Sequence, residues 1–486
     1  IGVRLVGSEM CIRDRINGAT MNNVISRNNI ATFNGGGIFV YCSMMDMENI
    51  ESSNNVLLGY NFGFGNMAYG GGVMLAGLIN GTIENAVISN NTALIGGGIF
   101  TTGSFNTWTM SNSLISGNTA SYQGGGIEFV DNASPTLINV TFDDNVANDK
   151  GGGALSIGTT TPVFENCTIT NNSASNGDGG GAFIFNEWNW LTNQNLVGSY
   201  PIFNNCFFEG NTSIDGAAVG YGKPGLWGPP DGATFYRNTI VNNQSSNYCG
   251  GININGGSSE IINCTIIDNP NGNTVNGSGG VDVAFSGVTR IINTIIRGNA
   301  NFYGAEVLAY NSAVFSSFSN IENIGNQGTE NIDEDPLFYN SENLDFRLNP
   351  GSPCIDAGSS NMGAFSIDNL TDYDGSAPDI GALEGGVLPA ITGFVVYPQM
   401  NSVILTWNPI SDVEVEYYAI ERSVNQDFTN TDSIQIQITN TNYFEDTELI
   451  YDIDMFYRVS YYSGVQSEYS DTCLLYTSPS PRDGLL

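Results

Sequence analysis

Histidine is absent from this chain of 486 residues, and basic side chains are scarce. The sequence has 13 Lys and Arg against 48 Asp and Glu, which gives a formal net charge of −35. The absence of His removes the commonest general base and metal ligand. A surface this acidic repels nucleic acid and anionic membranes, so neither is expected as a partner. Charged residues make up only 13% of the chain, and this composition, rich in Asn, Ser, Thr and Gly, favours an exported β-rich protein over a cytosolic enzyme.

The sequence also lacks an apolar run long enough to span a membrane, and it lacks apolar residues at helical spacing. What it has is a repeat in which an Asn is followed six positions later by a second polar residue and then by a Gly-rich strand. The first Asn of each repeat is Asn23, Asn49, Asn85, Asn112, Asn139, Asn166, Asn205, Asn238, Asn263 or Asn293. The sixth residue on is again Asn in every repeat but the eighth, where it is Gln244, directly after Asn243. A repeat of about 25–30 residues indicates a solenoid.

Each repeat contains short runs of β-branched and aromatic residues bounded by Gly, Asn, Asp or Ser. Residues after the glycines alternate with period two, as in Ile127, Glu128 and Phe129, which is typical of a strand with one buried face. The glycines suit tight corners with positive φ, and Asn tolerates the left-handed region and forms stacked amide ladders. The sequence therefore predicts an all-β fold, a parallel β-helix of about ten to eleven rungs, followed by a small C-terminal β-sandwich.

Composition also predicts where the parts of the chain begin and end. The segments at the two ends break every pattern and resemble translated sequencing-adapter sequence. We therefore expect them to lie outside the fold, and we expect the natural protein to extend further at both ends. The predicted parts are the adapter-like tail 1–15, the β-helix 16–323, its C-terminal cap 324–385, a linker 386–389, the β-sandwich 390–472 and a second adapter-like tail 473–486.

Several short sequence words resemble known families. The Gly-Gly-Gly-Ile and Phe-x-x-Asn words, the latter at 142–145 and 208–211, resemble the repeats of chlamydial-type polymorphic outer-membrane proteins. The closing DPLF, GSPCIDAG and DIGALE words between Asp335 and Glu384 are similar to the ending of a broad group of bacterial secreted β-helix proteins. Trp407 and the Tyr-Arg-Val at 457–459 resemble a fibronectin type III domain. The resemblance implies a right-handed parallel β-helix at the cell surface or outside the cell, with adhesion in some members and polysaccharide-active relatives elsewhere in the fold.

Two consecutive repeats carry insertions, at 186–201 and 220–232. They contain the candidate ligand-binding residues Glu187, Trp188, Trp190, Tyr200, Tyr221, Trp227 and Asp231. Because both insertions follow equivalent strands, we expect the loops to project side by side from the rod. Exposed aromatic rings beside polar groups suit sugar rings, which predicts a glycan- or ligand-binding surface. The alternative is that the loops pack their aromatic rings against the rod.

Two groups of acidic residues suggest cations. Asp149, Asp178 and Asp215 precede the glycines of three consecutive repeats, and they are solvated turn residues unless a cation or Lys150 holds them together. In the cap, the candidate metal ligands Asp372, Asp374 and Asp379 form a calcium-like set of oxygen ligands. That set lacks the full spacing of a calcium loop. A structural calcium ion is the one cofactor that the sequence suggests.

The cysteines away from the two ends match no zinc motif. Cys167, Cys206 and Cys264 stand at equivalent places in their repeats. We interpret them as small buried residues, and a bridge between Cys167 and Cys206 on neighbouring rungs is the alternative.

Two functions follow from these patterns. The favoured one is a secreted or cell-surface rod, adhesin-like and monomeric, that binds a glycan or a surface protein without catalysis, so no catalytic residue is assigned. The alternative is a polysaccharide-active enzyme, a glycoside hydrolase or lyase, at the paired insertion loops. Glu187 and Asp231 would supply its carboxylate pair if both loops turn the same way. Polyuronate lyases of this fold need a cluster of Lys and Arg, and the sequence offers no dense basic cluster.

Overall fold

Almost all regular structure in this protein is β. The computed structural model describes residues 4–6, 10–12, 19–32, 34–41, 44–58, 60–61, 66–77, 80–103, 107–131, 133–148, 152–158, 160–185, 188–189, 194–195, 198–222, 232–272, 277–299, 305–324, 328–363, 365–373, 375–384, 391–398, 402–409, 415, 417–425, 428, 434–438, 442–447, 455–463, 465–466, 470 and 473–475. The chain forms two compact units, one of residues 1–336 and 352–384 and the other of 337–351 and 385–486.

Among the described residues, three parallel sheets build the first unit; we call them sheets A, B and C and count their strands over those residues. Sheet A has 21 strands, at Arg4–Val6, Ala19–Asn22, Ile25–Arg27, Met44–Glu48, Glu51–Ser53, Asn80–Glu84, Val87–Ser89, Thr109–Ser116, Thr136–Asp143, Val163–Glu165, Thr168–Thr170, Ile202–Asn204, Phe207–Glu209, Gly232–Tyr236, Thr239–Val241, Ser258–Ile262, Thr265–Ile267, Val288–Ile292, Ile295–Arg297, Ala313–Ser317 and Asn320–Ile321. Sheet B has 11 strands, at Met10–Ile12, Ile38–Tyr41, Val73–Ala76, Ile99–Thr102, Ile127–Phe129, Leu155–Gly158, Ala182–Phe185, Val219–Tyr221, Ile252–Asn255, Val281–Ala284 and Val307–Tyr310. Sheet C has 8 short strands, at Ile30–Ala31, Val56–Leu57, Thr92–Ile95, Thr119–Gln123, Val146–Ala147, Ser173–Ala174, Thr212–Ser213 and Gln244–Ser245.

Each strand pairs in parallel with the equivalent strand of the next repeat, as Ile99–Thr102 does with Ile127–Phe129. This register confirms the predicted parallel β-helix. The expectation that both end segments lie outside the fold is not met at three short strands. Arg4–Val6 and Met10–Ile12 pair with the first rungs, and Cys473–Leu475 pairs with Met455–Tyr457. The physical reason is that the edge of a sheet offers unpaired N–H and C=O groups to any extended segment.

The rod is filled by columns of side chains because equivalent residues of successive rungs stack. Phe164, Phe203 and Phe235 lie on consecutive strands of sheet A, and their rings stack at centroid distances of 4.9 and 5.4 Å. Isoleucines 261 and 291 continue the same column. All of these side chains are fully buried, so the core is continuous along the rod.

Glycines stand at the corner before most strands of sheet B for two reasons, while Cys249 and Ser278 take the equivalent place before Ile252–Asn255 and Val281–Ala284. Gly96 has a φ of 64°, which L side chains rarely adopt. At Gly97 a Cβ atom would lie 2.6 Å from the carbonyl oxygens of Thr119 and Gly125 on the next rung. The rungs are therefore too close at this corner for any larger residue.

A ladder of buried asparagines joins ten rungs, and we call it the amide ladder. Its members are Asn29, Asn55, Asn91, Asn118, Asn145, Asn172, Asn211, Asn243, Asn269 and Asn299. In the first nine of them, the backbone N–H and the Nδ2 group both donate to Oδ1 of the next member, at 2.8 to 3.1 Å. The ladder ends on Glu306, whose Oε2 accepts from Nδ2 of Asn299 at 2.7 Å and from its N–H at 3.2 Å.

The first Asn of each repeat but the eighth lies in a second column that turns the chain at positive φ. Seven of these nine asparagines are exposed, and the other two, Asn263 and Asn293, are buried. Asn112, Asn139 and Asn166 have φ values of 49 to 54°, and Asn139 Nδ2 donates to Asn112 Oδ1 at 3.1 Å. Asn205 donates to Asn166 at 2.7 Å. The stacking predicted for these residues is therefore confirmed.

The eighth repeat corrects the predicted positions by one residue. Arg237, with a φ of 55°, occupies the corner that was assigned to Asn238. Asn238 is buried, and its Oδ1 accepts from the N–H of Cys206 at 2.8 Å. Asn243, not Gln244, takes the place in the amide ladder. The six-residue interval is thus kept from Arg237 to Asn243. The prediction was wrong because it followed the identity of the residue, whereas the backbone accepts Arg at this corner.

The described cysteines of the first unit are buried free thiols: Cys167, Cys206, Cys249, Cys264 and Cys354. Burial raises the pKa of Cys264 to about 12 and raises that of Cys206 well above its ordinary value. Cys167, Cys206 and Cys264 are therefore small buried residues, as predicted, and Cys249 and Cys354 are buried as well.

Residues 352–384 cover one side of the last rungs of sheet A. Asn263 Nδ2 donates to the carbonyl of Asp379 at 3.1 Å, and Asn293 Nδ2 donates to that of Ser359 at 2.8 Å. Arg237 forms ion pairs with Asp372 at 3.0 Å and with Glu384 at 3.8 Å. The corner asparagines and the arginine that replaces one of them therefore hold the cap. The predicted cap 324–385 is divided, because 337–351 belongs to the second unit, where Phe338–Asn340 pairs antiparallel with Asp345–Leu348 around the 3₁₀ helix Ser341–Asn343.

The rest of the second unit has two antiparallel sheets. One contains Val395–Pro398, Val403–Thr406 and Tyr443–Asp446; the other contains Ile434–Ile438, Tyr417–Ser423, Met455–Ser463, Val465–Gln466 and Cys473–Leu475. Trp407 and Tyr418 pack in its core with ring centroids 5.1 Å apart. Arg422 and Asp446 form a buried ion pair at 2.7 Å, and the Tyr457 hydroxyl donates to Asp446 at 2.9 Å. This arrangement agrees with the predicted β-sandwich.

Candidate functional site

A cleft opens on the outer face of sheet B toward its C-terminal end. The strands Ile252–Asn255, Val281–Ala284 and Val307–Tyr310 form its floor, because every second residue of each strand points away from the core. The cavity has a volume of about 390 Å³ and is lined by Asp215, Tyr248, Asn253, Asn255, Asp282, Ala284, Phe285, Leu308 and Tyr310. None of these described lining residues is basic.

Two buried carboxylates, Asp215 and Asp282, lie in this cleft. Asp215 stands at the corner before Gly216, and its Oδ1 accepts from the N–H of Tyr248 on the next rung at 2.8 Å. It is therefore not the solvated turn residue that its position in the repeat favoured. Asp282 points outward from its strand, two rungs further along the rod.

The pKa of Asp282 is raised to about 7. Burial is the main cause and the charge of Asp215 adds to it, while the backbone N–H groups of Val283 and Ser278 act in the opposite direction. A carboxylate with this pKa is partly protonated near neutral pH. The cleft thus holds two acids that disfavour each other's charge.

Asn253 adds an oxygen to the same cleft. Asn253 is only 6% exposed, and its Oδ1 has no hydrogen-bond partner among the described residues. A buried amide oxygen without a partner costs about 1–3 kcal/mol, so a ligand that supplies a donor or a positive charge at this point would be stabilised. Gly220 is the residue paired with Asn253 on the preceding strand, and it contributes no side chain.

Aromatic rings border the cleft. Tyr310 is 70% exposed and Phe285 is 54% exposed, and both belong to the lining. Large rings that remain this accessible beside carboxylate and amide groups give the cleft one apolar and one polar side. Such a surface can hold a sugar ring, and its three oxygen-bearing side chains can also hold a hard cation.

The two predicted insertion loops do start from neighbouring strands. Ala182–Phe185 pairs with Val219–Tyr221 before the loops, and Ile202–Asn204 pairs with Gly232–Tyr236 after them. The first loop includes a short hairpin of Trp188–Asn189 with Gln194–Asn195. Of the predicted site residues, Glu187, Trp190, Trp227 and Asp231 lie outside the described residues. Whether a carboxylate pair forms there stays a prediction.

Two predicted loop residues are described in full. Tyr200 is partly exposed at the base of the first loop. Tyr221, in contrast, is fully buried, and its hydroxyl lies 2.7 Å from Ser259 Oγ. Tyr221 therefore offers no surface to a ligand, because the strand continues to this residue and its alternation turns the ring into the core.

The predicted calcium ligands of the cap have different surroundings. Asp372 is 91% exposed and pairs with Arg237, whereas Asp379 is buried and its Oδ1 accepts from the N–H of Asp356 at 2.8 Å. Asp374 lies outside the described residues. Among the described residues, no group of three or more Asp, Glu or Cys is placed to hold a metal ion, and calcium in the cap stays a prediction.

Sequence reasoning did not assign the cleft. The signal that the sequence offers is the alternation of Asp282 with Val281 and Val283, which is typical of an outward-facing strand residue, and the position of Asp215 just before Gly216. Asp215 is a corner residue and Asp282 is a strand residue two rungs further on. Their proximity becomes visible only when the rungs are aligned in the structure.

No family model matches this chain, and no curated protein matches it. Pectate lyase Pel9A is similar in structure, with 16% identity over 76% of this chain and 87% of the lyase, at a TM-score of 0.40. An Acinetobacter phage tailspike is 12% identical over 95% of this chain and 78% of its own, at 0.27. The fn3 domain of human contactin 1 is 18% identical over 26% of this chain and 97% of that domain, at 0.17. At these scores the parallel β-helix rests on the strand register of the chain itself. In the described part of the chain, no helix has the length and hydropathy to cross a membrane.

Proposed function

We propose that this protein is a secreted or cell-surface β-helix rod that binds a glycan in the cleft on sheet B, without catalysis. The observation that carries the proposal is the meeting of Asp215, Asn253 and Asp282 with the accessible rings of Phe285 and Tyr310 in one cavity. Carbohydrate ligands need both elements, since carboxylates and amides bind hydroxyl groups and aromatic rings cover the apolar faces of sugars.

The charge of the cleft selects the class of glycan. Both acids and the net charge of −35 repel uronates and sulfated sugars. No basic group in the described lining compensates for this repulsion. A neutral glycan, or one with amino groups, fits these constraints.

A glycan array with purified protein tests the proposal. We expect binding to neutral or amino-sugar glycans, and we expect Tyr310→Ala to weaken it by roughly ten-fold, in line with the loss of about 1–2 kcal/mol from a ring contact. Tyr397→Ala is the matched control, because Tyr397 is a partly exposed tyrosine of the second unit. Equal binding by the wild type and Tyr310→Ala would remove the cleft from the proposal.

The second candidate is a glycoside hydrolase that uses the same two acids. It is favoured by one observation, the raised pKa of Asp282 beside the carboxylate of Asp215. An acid of pKa near 7 is suited to donate a proton to a leaving oxygen, while a second carboxylate activates water or attacks the sugar. Release of reducing ends from neutral polysaccharides by the wild type, and its loss in Asp282→Asn, would establish this function. If no glycan bound by the protein is cleaved, the binding rod is the remaining candidate.

The insertion loops are a second place for a ligand on the same rod. The strands before and after the two loops pair with each other, and this supports the proposal that Trp188 and Trp227 act together on a glycan or a surface protein. The array separates the two places. Trp188→Ala and Trp227→Ala should reduce binding if the loops hold the ligand, and they should leave it unchanged if the cleft does.

A further inference from the structure

We infer that the part of sheet A that the cap leaves uncovered is a docking surface for a basic polypeptide segment of a partner protein, one without regular secondary structure. The cap, residues 352–384, is itself such a segment, and it is held by the column of corner asparagines. That column continues toward the N-terminal rungs, where its side chains are exposed. The surface is separate from the cleft on sheet B, so the inference does not depend on glycan binding.

The cap is bound through amide side chains that have a hydrogen-bonding group to spare. Asn293 Nδ2 donates to Asn263 Oδ1 at 3.2 Å and also to the carbonyl of Ser359 at 2.8 Å. The N–H of Ser359 donates in return to Asn293 Oδ1 at 2.8 Å. The described residues of 352–384 form no helix or strand, so their backbone groups are available for such bonds. One amide hydrogen thus maintains the column, and the other holds a peptide.

The exposed asparagines of the column keep the first of these bonds and lack the second. Asn139 Nδ2 donates to Asn112 Oδ1 at 3.1 Å, and Asn205 Nδ2 donates to Asn166 Oδ1 at 2.7 Å. The other hydrogen of each of these two donating amides has no acceptor among the described residues. We call this surface the uncovered face, and its corner residues are Asn85, Asn112, Asn139, Asn166 and Asn205.

Apolar contacts beside the corner also correspond between the two parts of the column. Under the cap, Ile292 packs in one buried cluster with Leu370, and Ile295, just after the corner, is fully buried. On the uncovered face, the positions in register with Ile295 include Val87 and Leu114, which are 39% and 36% exposed. A segment that docks on the uncovered face as the cap does would cover these two side chains, and their burial favours binding.

The charge of the uncovered face is opposite to that of the corner under the cap. There, Arg237 pairs with the acids Asp372 and Glu384 of the cap. On the uncovered face, Glu84 and Glu165 stand just before the corner, three rungs apart in one register, and neither carboxylate forms an ion pair with a described residue. A docking segment should therefore carry Lys or Arg. A second copy of this chain does not fit, because it has 13 Lys and Arg against 48 Asp and Glu.

Fluorescence anisotropy with labelled peptides and the full chain tests the inference. The cap sequence 376–384 is a suitable template, because Asn263 binds the carbonyl of Asp379 and Thr265 binds the N–H of Ala382. The probe carries Asp379→Lys and Glu384→Lys, and the comparison peptide has the unchanged sequence. We expect the lysine peptide to bind saturably and at least about ten-fold more tightly than the unchanged peptide, and we expect added NaCl to weaken it.

Substitutions without a change of charge distinguish docking from a general attraction of basic peptides to an acidic protein. Asn112→Gly combined with Asn139→Gly removes two corner amides but accepts the positive φ, and it should weaken binding of the lysine peptide at least about five-fold. Glu84→Gln combined with Glu165→Gln should weaken it as well and reduce its dependence on salt. Asn90→Gly is the matched control, because Asn90 is an exposed asparagine with a φ of 54° at a different corner of its rung. This variant should bind as the wild type does, and far-UV circular dichroism confirms that each variant is folded.

Three results would overturn the inference. The first is the absence of saturable binding of the lysine peptide, and the second is unchanged affinity in the variant with both Asn112→Gly and Asn139→Gly, which would reduce the binding to general attraction. The third is binding of chitosan oligomers without binding of the peptide, which would assign the uncovered face to a glycan. None of these readouts involves the cleft on sheet B, so this inference and the proposed glycan binding fail separately.

Discussion

The amide ladder makes a quantitative prediction at Asn145, in the middle of the rod. Asn145 is fully buried. Its Nδ2 donates to the carbonyl of Ile115 at 2.9 Å and to Asn172 Oδ1 at 3.0 Å. Its Oδ1 accepts from the N–H and the Nδ2 of Asn118 at 3.1 and 3.0 Å. Replacement of this residue by Ala removes all four hydrogen bonds.

The N–H of Asn118 and one of its two Nδ2 hydrogens would then be buried without an acceptor, while the other Nδ2 hydrogen keeps its bond to the Ile88 carbonyl and the Ile115 carbonyl keeps its donor in the strand ladder. At about 1–2 kcal/mol for each unpaired donor, Asn145→Ala should reduce the free energy of unfolding by roughly 2–4 kcal/mol. The matched control is Asn139→Gly in the exposed corner column. Asn139 Nδ2 donates to Asn112 Oδ1 at 3.1 Å, and Asn139 has a φ of 54°. Because Gly accepts this φ freely, the loss should stay at or below about 1 kcal/mol.

Urea unfolding followed by far-UV circular dichroism measures both variants. With an unchanged slope, the shift in the midpoint gives the change in stability. Hydrogen exchange at the amide of Asn118 provides a local check, because this N–H loses its acceptor only in Asn145→Ala. If Asn145→Ala lowers the midpoint no more than Asn139→Gly does, the buried amides are not what holds the rungs together, and the reasoning is refuted.

Three further predictions concern the ends of the rod and the second unit. Burial raises the pKa of Glu306 from 4.5 to about 7. Because the folded chain holds this proton to a higher pH than the unfolded chain does, the free energy of unfolding should fall as the pH rises from about 4.5 to 7, by up to about 3 kcal/mol. The charges of Glu322 and Arg297 act on the same carboxyl group. Glu306→Gln should flatten the plot of urea midpoint against pH in this range. If the wild type and Glu306→Gln give parallel plots, the prediction is wrong. Arg237→Asn restores the common corner residue but removes the ion pairs to the cap. Proteolysis within 352–384 should become faster, while the free energy of unfolding should change by less than about 1 kcal/mol because Asp372 is exposed. Unchanged proteolysis would show that the ion pairs do not hold the cap. Asp446→Ala removes the carboxylate that pairs with the buried Arg422. It should destabilise the second unit by about 3–5 kcal/mol in thermal unfolding, whereas a loss below about 1 kcal/mol would show that this pair is not what keeps the guanidinium buried.

The repeat could be predicted from the sequence because its corners restrict residue type. A buried position whose side chain must both donate and accept hydrogen bonds along the rod requires Asn, and a corner in close contact with the next rung requires Gly. Asn and Gly therefore recur at fixed intervals, and this recurrence predicts the architecture. The error in the eighth repeat has the same origin. Arg237 adopts the corner conformation without being Asn, so a search by residue identity selects its neighbour instead.

The cleft could not be predicted in the same way. Asp215 and Asp282 belong to different positions of different repeats, and their meeting depends on the stacking of three rungs and on the direction of one outward-facing strand residue. The burial of Tyr221 was missed for a related reason, since one residue more or less in a strand decides whether a ring lies inside or outside. Loop aromatic residues were visible in the sequence, but their surroundings were not.

The amide ladder has a direction, with every side chain donating toward the C-terminal rungs and the last donors received by Glu306. A duplicated rung inserted anywhere between the first and last members would arrive with its own donor pair and its own acceptor, and it would leave no group unmatched. The length of such a rod can therefore change by whole units, whereas its closing acid must stay at one end. Gene duplication among the rungs before Asp215 can in this way lengthen the array while leaving the cleft and the cap, both near the closed end, unaltered.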